Sequence, residues 1–140
     1  MLADQERILG PDHAGSLKTR EKYALATGEF VDKRQALEMF GDNLRRLMRN
    51  RSPDSPEVLR ARKFVARFTG EVGGKQEALG LFAQLHEDEK RVLSADHPEI
   101  LVTRKYLAYL NHELQAGADA ILLLRGIIAD QERVLGSTHA

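Results

Sequence analysis

The sequence contains no cysteine and no tryptophan, only four prolines, and aromatic residues at 6%. Without cysteine there is no disulfide framework, no thiolate metal site and no thiol nucleophile. With so few aromatics, a base-stacking surface for single-stranded nucleic acid is hard to build. Long hydrophobic runs are missing too. Ala120 to Leu124 is among the longest, and it is far too short to span a bilayer. The first residues include Asp4 and Glu6 and no apolar stretch, so they do not read as a secretory leader. Together these features lead to the expectation of a cytoplasmic protein. Net charge is lacking as well, because 21 Lys/Arg balance 21 Asp/Glu. What remains is a 140-residue chain with 42% hydrophobic and 30% charged residues. That composition suits a helical domain with its own core.

The chain repeats itself. Ala3-Asp4-Gln5-Glu6-Arg7-Ile8-Leu9-Gly10 returns as Ala129-Asp130-Gln131-Glu132-Arg133-Val134-Leu135-Gly136, an offset of three times 42 residues. A weaker copy, Asp88-Glu89-Lys90-Arg91-Val92-Leu93, lies one period earlier. A fixed period in this range signals a solenoid of stacked units. Aligned at 42, the chain divides into a leading half-unit (1–13) and three units (14–55, 56–97 and 98–139) within a single domain. Columns persist through the units: Leu17/Leu59/Leu101, Arg20/Arg62/Arg104, Ala24/Ala66/Ala108, Ala36/Ala78/Ala120, Leu37/Leu79/Ile121 and Phe40/Phe82/Leu124.

Each unit reads as two helices. Apolar residues recur at three- and four-residue steps, and the pattern breaks near Gly28, at Gly73-Gly74 and near Gly117. The alanine columns suit close helix crossings, with the Phe and Leu columns filling the adjoining space. Asp54-Ser55-Pro56 and Asp96-His97-Pro98 place a polar cap before a proline at the first helical position. The expectation is an all-α solenoid of antiparallel pairs, seven helices in all. Neither end carries a polar capping helix, which leads to the expectation of a fragment of a longer array, or of end-to-end self-association.

These residues resemble the tetratricopeptide repeat (TPR) family, in the long variety known from kinesin light chain. The resemblance rests on Tyr23-Ala24, Val65-Ala66 and Leu107-Ala108 at the first-helix ends. It rests also on Ala36-Leu37, Ala78-Leu79 and Ala120-Ile121 opening the second helices, and on the joins Leu9-Gly10-Pro11-Asp12-His13 and Leu93-Ser94-Ala95-Asp96-His97-Pro98. It implies a protein-interaction module that binds a peptide or partner domain in a groove lined by first helices, with no catalysis and no cofactor. Carried over by position, the groove would include Lys18, Glu21, Arg60, Lys63, Arg67, Lys105, Tyr109 and His112. The family's long variety often carries an Asn pair before its Leu-Ala. Glu21-Lys22, Lys63-Phe64 and Lys105-Tyr106 stand there instead, which argues against the usual clamp on the ligand backbone. A second implied role is a sensor or regulatory segment of a larger bacterial nucleotide-switch protein or transcriptional regulator.

Charge is unevenly spread. Residues 45–67 carry eight Lys/Arg against two Asp/Glu, between acidic flanks. This basic block reads either as a solvated face or as a surface for an acidic protein or peptide. Arg62 belongs to a repeat column, which points to a structural role. His13, His97 and His139 share a column at the joins, so they cannot converge on one metal, and no histidine pair has ligand spacing. Gly73-Gly74-Lys75 lacks the strand and spacing of a phosphate loop.

Overall fold

The computed structural model describes residues 14–139, which form five helices: α1 (Ala14–Phe30), α2 (Lys33–Asn50), α3 (Pro56–Glu71), α4 (Lys75–Val92) and α5 (Pro98–His139). Among the described residues there is no strand. Each helix packs on the next in sequence, α1 on α2 through to α4 on α5. Such nearest-neighbour stacking is the architecture of a solenoid.

Local chemistry sets the helix boundaries. Asp32 caps α2, its side chain accepting from the Arg34 N–H at 3.1 Å. Ser55 caps α3, accepting from the Val58 N–H at 3.4 Å, with Pro56 opening the helix. Gly73, at φ +104°, supplies the left-handed step between α3 and α4, a conformation open to glycine at little cost. His97 Nδ1 accepts from the Glu99 N–H at 3.1 Å and so caps α5.

Two hairpins, α1–α2 and α3–α4, carry the alanine columns fully buried at Ala24, Ala36, Ala66 and Ala78. Phe40 and Phe82 fill the space beside them, at 1% exposure each. The helices approach closely at the turn end because Gly28 and Gly70 have no side chain. A Cβ on Gly28 would lie 2.6 Å from the Phe68 ring and 3.1 Å from Ala36 Cβ, and one on Gly70 would lie 3.3 Å from Ala78 Cβ.

The third unit departs from expectation. No break occurs near Gly117, and α5 runs for 42 residues, about 63 Å. The expected sixth and seventh helices are thus one. The leading half-helix of residues 1–13 lies outside the described residues, so five helices stand where seven were expected. The repeat register explains the missing turn. At the close-approach column Gly28/Gly70 the third unit has His112. Where unit two has the left-handed Gly73, it has Gln115, and at the cap column Asp32/Gly74 it has Ala116. Gly117 falls one place later, in the column of Lys33 and Lys75, the first residues of α2 and α4. Without a cap or a left-handed residue, Leu114, Gln115, Ala116 and Ala118 continue the helix, as good or neutral helix formers do. Beyond Leu114 every side chain described is exposed.

Candidate functional site

The first helices α1 and α3 present one face beside the second helices, and a cleft of about 380 Å³ opens there. Residues three and four apart share a helix face, which sets Leu17 and Glu21 together on α1, and Ala61 and Phe64 on α3. Leu17, Leu47, Ala61 and the Phe40–Phe64 pair form its apolar floor. The two rings stack at 4.7 Å with an interplanar angle of 8°. The rim is charged: Lys18, Lys22, Arg51 and Arg60 against Glu21 and Glu57. Arg60 donates to Glu21 through Nε at 3.0 Å and Nη2 at 2.8 Å, while its guanidinium lies 5.2 Å over the Phe64 ring. The hydrogen bond to Glu21 raises the Arg60 pKa further above its ordinary value, against a smaller opposing effect of burial.

A second cleft of similar volume lies between α3, α4 and α5, with Arg67, Glu71, Lys75 and Tyr109 around Phe82 and Tyr106. Phe82 and Tyr106 stack at 4.7 Å and 8°, and they stand 42 residues beyond Phe40 and Phe64. The second cleft shares this ring pair but lies nearer the turn end. The position equivalent to the first cleft is filled. Lys63 stands in the column of Glu21, Glu89 in that of Leu47, and Glu99 in that of Glu57. Lys63 Nζ donates to the Glu99 carbonyl at 2.8 Å and to the Glu99 carboxylate, and it lies 3.3 Å from Glu89 Oε2. Glu89 is 1% exposed and neither of its carboxylate oxygens has a hydrogen bond, so Lys63 is what compensates its charge. The hydrogen bond from Lys63 holds the Glu99 carboxyl below the usual carboxylate range, despite partial burial.

The residues proposed from sequence therefore separate. Lys18, Glu21 and Arg60 meet at the first cleft. Arg67 and Tyr109 meet at the second. Lys105 and Tyr109 share a shallower surface with Val102. Lys63 is buried in its ion-pair network, and His112 is exposed on α5 outside both clefts.

The basic block is not a field of unbalanced cations. Arg45 and Arg46 pair with Asp42 at 3.6 and 3.0 Å, Arg62 with Asp88 at 2.7 Å, and Arg67 with Glu71 at 3.5 Å. The stacked ring pairs are what the sequence reading missed as site features. They were legible as the columns Phe40/Phe82 and Phe64/Tyr106. Among the described residues no group of three or more His, Asp or Glu could hold a metal, and no helix is long and apolar enough to cross a membrane.

No family model matches the chain, and no curated protein matches it. Solved structures do. One is the crystal structure of a Podosopora anserina putative kinesin light chain with nearly identical TPR-like repeats, at 22% identity and a TM-score of 0.64. Another is the crystal structure of a glutamine-to-methionine variant of the same repeats, at 22% identity and a TM-score of 0.66. Each match covers 95% of this chain and 63% of the solved chain, so the present sequence spans under two-thirds of those structures. At that identity the likeness speaks for the fold.

Proposed function

We propose that this chain, a TPR-like helical repeat protein, is a protein-interaction module that holds a peptide or a segment of a partner domain against its first-helix face. Its role is binding without catalysis. The observation that carries this reading is the first cleft: an apolar floor with a stacked ring pair, left open beneath a charged rim. Such a cleft takes an apolar anchor side chain, while the rim contacts the flanking peptide. Arg60 is occupied by Glu21, so any preference for acidic flanks rests on Lys18, Lys22 and Arg51. The rim holds four cations and two carboxylates, and we assign the ligand as an acidic segment carrying one large apolar residue.

The test is selection of a displayed peptide library on the chain, followed by anisotropy titration of the retained peptides at rising salt. Retained peptides should share an apolar anchor with acidic flanks and lose affinity as salt screens the rim. Lys18→Glu with Lys22→Glu, both exposed, should weaken binding at least about tenfold with helicity unchanged. Retained peptides with no apolar anchor, or with affinity indifferent to the double reversal, would overturn the reading.

A further inference from the structure

The third unit keeps the residues of a packed hairpin but does not form one. In unit two, Leu59, Ala66, Ala78, Phe82 and Leu85 make one core cluster, none more than 3% exposed. Forty-two residues on stand Leu101, Ala108, Ala120, Leu124 and Ile127, and all five are exposed, Leu124 at 56%. Their symmetry along α5 is informative. Leu59 and Leu85 are equidistant in sequence from residue 72, as are Ala66 and Ala78. In the same way Leu101 and Ile127, and Ala108 and Ala120, are equidistant from Leu114. Two α5 helices laid antiparallel about a two-fold axis at Leu114 would bring Leu101 of each level with Ile127 of the other, and Ala108 level with Ala120, each pair occurring twice.

Charge follows the hairpin pattern too, at a six-residue offset from the apolar register. Arg62 on α3 reaches across to Asp88 on α4 at 2.7 Å, and Asp88 also takes Arg91 at 2.6 Å. The third unit repeats all three residues as Arg104, Asp130 and Arg133. Asp130 pairs with Arg133 at 2.9 Å. Arg104 lies twenty-six residues from Asp130 on one straight helix, about 39 Å away, so it cannot reach Asp130 of its own chain. In the antiparallel pair Asp130 of the other copy lies six residues, about 9 Å, along from the position opposite Arg104, the same offset that Arg62 spans to reach Asp88.

We infer that α5 is the opened arm of a swapped hairpin, and that its exposed face is covered by α5 of a second copy of this chain. Exchange of an identical element needs no new complementary surface, because the contacts are those the hairpin was built to make. Closing the hairpin within one chain is disfavoured by the same three substitutions that straighten α5. His112 blocks the close approach, Gln115 replaces the left-handed glycine, and Ala116 replaces the cap. The inference does not depend on the cleft between α1 and α3.

The absence of cysteine makes the test clean. Ala108→Cys and Ala120→Cys chains are prepared separately, mixed and oxidised, with mass by light scattering and helicity by circular dichroism recorded for each. The unmodified chain should have twice the mass of one chain, and the mixture should give a disulfide-linked heterodimer. Arg104→Asp alone and Asp130→Arg alone should each weaken the dimer about tenfold or more, and the two together in one chain should restore it. Three results would each overturn the inference: a single-chain mass up to about 1 mM, a bridge formed only within a chain carrying both cysteines, or no restoration in the double reversal despite intact helicity.

Discussion

Lys63 offers a sharp test of what holds the second and third units together. The residue is 8% exposed and its ammonium faces two carboxylates, Glu89 at 1% exposure and the more accessible Glu99. Replacing Lys63 with Met preserves most of the apolar stem and removes the charge. Glu99 can turn to solvent, but Glu89 is 1% exposed and neither of its oxygens has a hydrogen bond to replace the lysine. Breaking a buried pair from one side in this way costs about 3–5 kcal/mol. Glu89→Leu is a different perturbation. Lys63 keeps its two bonds to Glu99, and leucine is the residue of the same column in unit one, at Leu47. Its cost should stay within about 1 kcal/mol. The double variant removes both buried charges and should recover most of the loss from Lys63→Met. Urea unfolding of the four proteins closes the cycle. A loss under about 1 kcal/mol for Lys63→Met, or equal losses for both single variants, would refute the reasoning.

The chain should lose stability in acid. Hydrogen bonds from Lys63 and from Arg62 hold the Glu99 and Asp88 carboxyls below their ordinary range. The unfolded chain therefore binds more protons there. The stabilisation is complete above the ordinary carboxylate pKa of about 4 and is lost as pH falls through the depressed folded values. Urea midpoints should be flat near neutrality and drop below about pH 4, and Arg62→Gln should flatten that drop. Phe82→Ala should cost about 3–5 kcal/mol and Ala66→Leu about 1–3, by cavity and overpacking respectively. Leu124→Ala, in the Phe82 column but exposed, should cost under about 0.5 kcal/mol at concentrations where the chain is monomeric, as denaturant midpoints will show. Restoring the turn with His112→Gly, Gln115→Gly and Ala116→Asp should break α5 and fold its second half onto its first. Spin labels at Arg104→Cys and Asp130→Cys would then move from about 39 Å apart to hairpin contact, and an unchanged long distance would show that turn chemistry does not control α5.

The helical stack was legible because a 42-residue period fixes columns, and columns specify which residues share a core. The missing turn was not, because residue type alone points to Gly117. The register holds the answer: unit one turns on its cap at Asp32 and unit two on its left-handed Gly73, and at those columns unit three has Ala116 and Gln115. The groove assignment suffered from a related shortcut. Lys63 occupies the column of the half-buried Glu21 and the exposed Lys105, yet Glu89, standing where unit one has Leu47, puts a carboxylate in a core position. A buried carboxylate requires a cation, and Lys63 is the nearest one. The first cleft was hidden for the opposite reason. Phe40 and Phe64 look like ordinary core residues, and only packing shows that their stacked faces floor an opening.

A protein written as near-copies of one motif faces a problem of order, since any unit can in principle dock on any other. The Lys63–Glu89–Glu99 network makes one junction unlike its neighbour. At the corresponding places unit one offers Glu21 and Leu47. Docked straight onto unit three, it would bring Glu21 towards Glu99 with no lysine between them, and like charges at close range are penalised. Of units one and two, only unit two presents the cation that Glu99 accepts. The network therefore favours unit two over unit one as the neighbour of unit three.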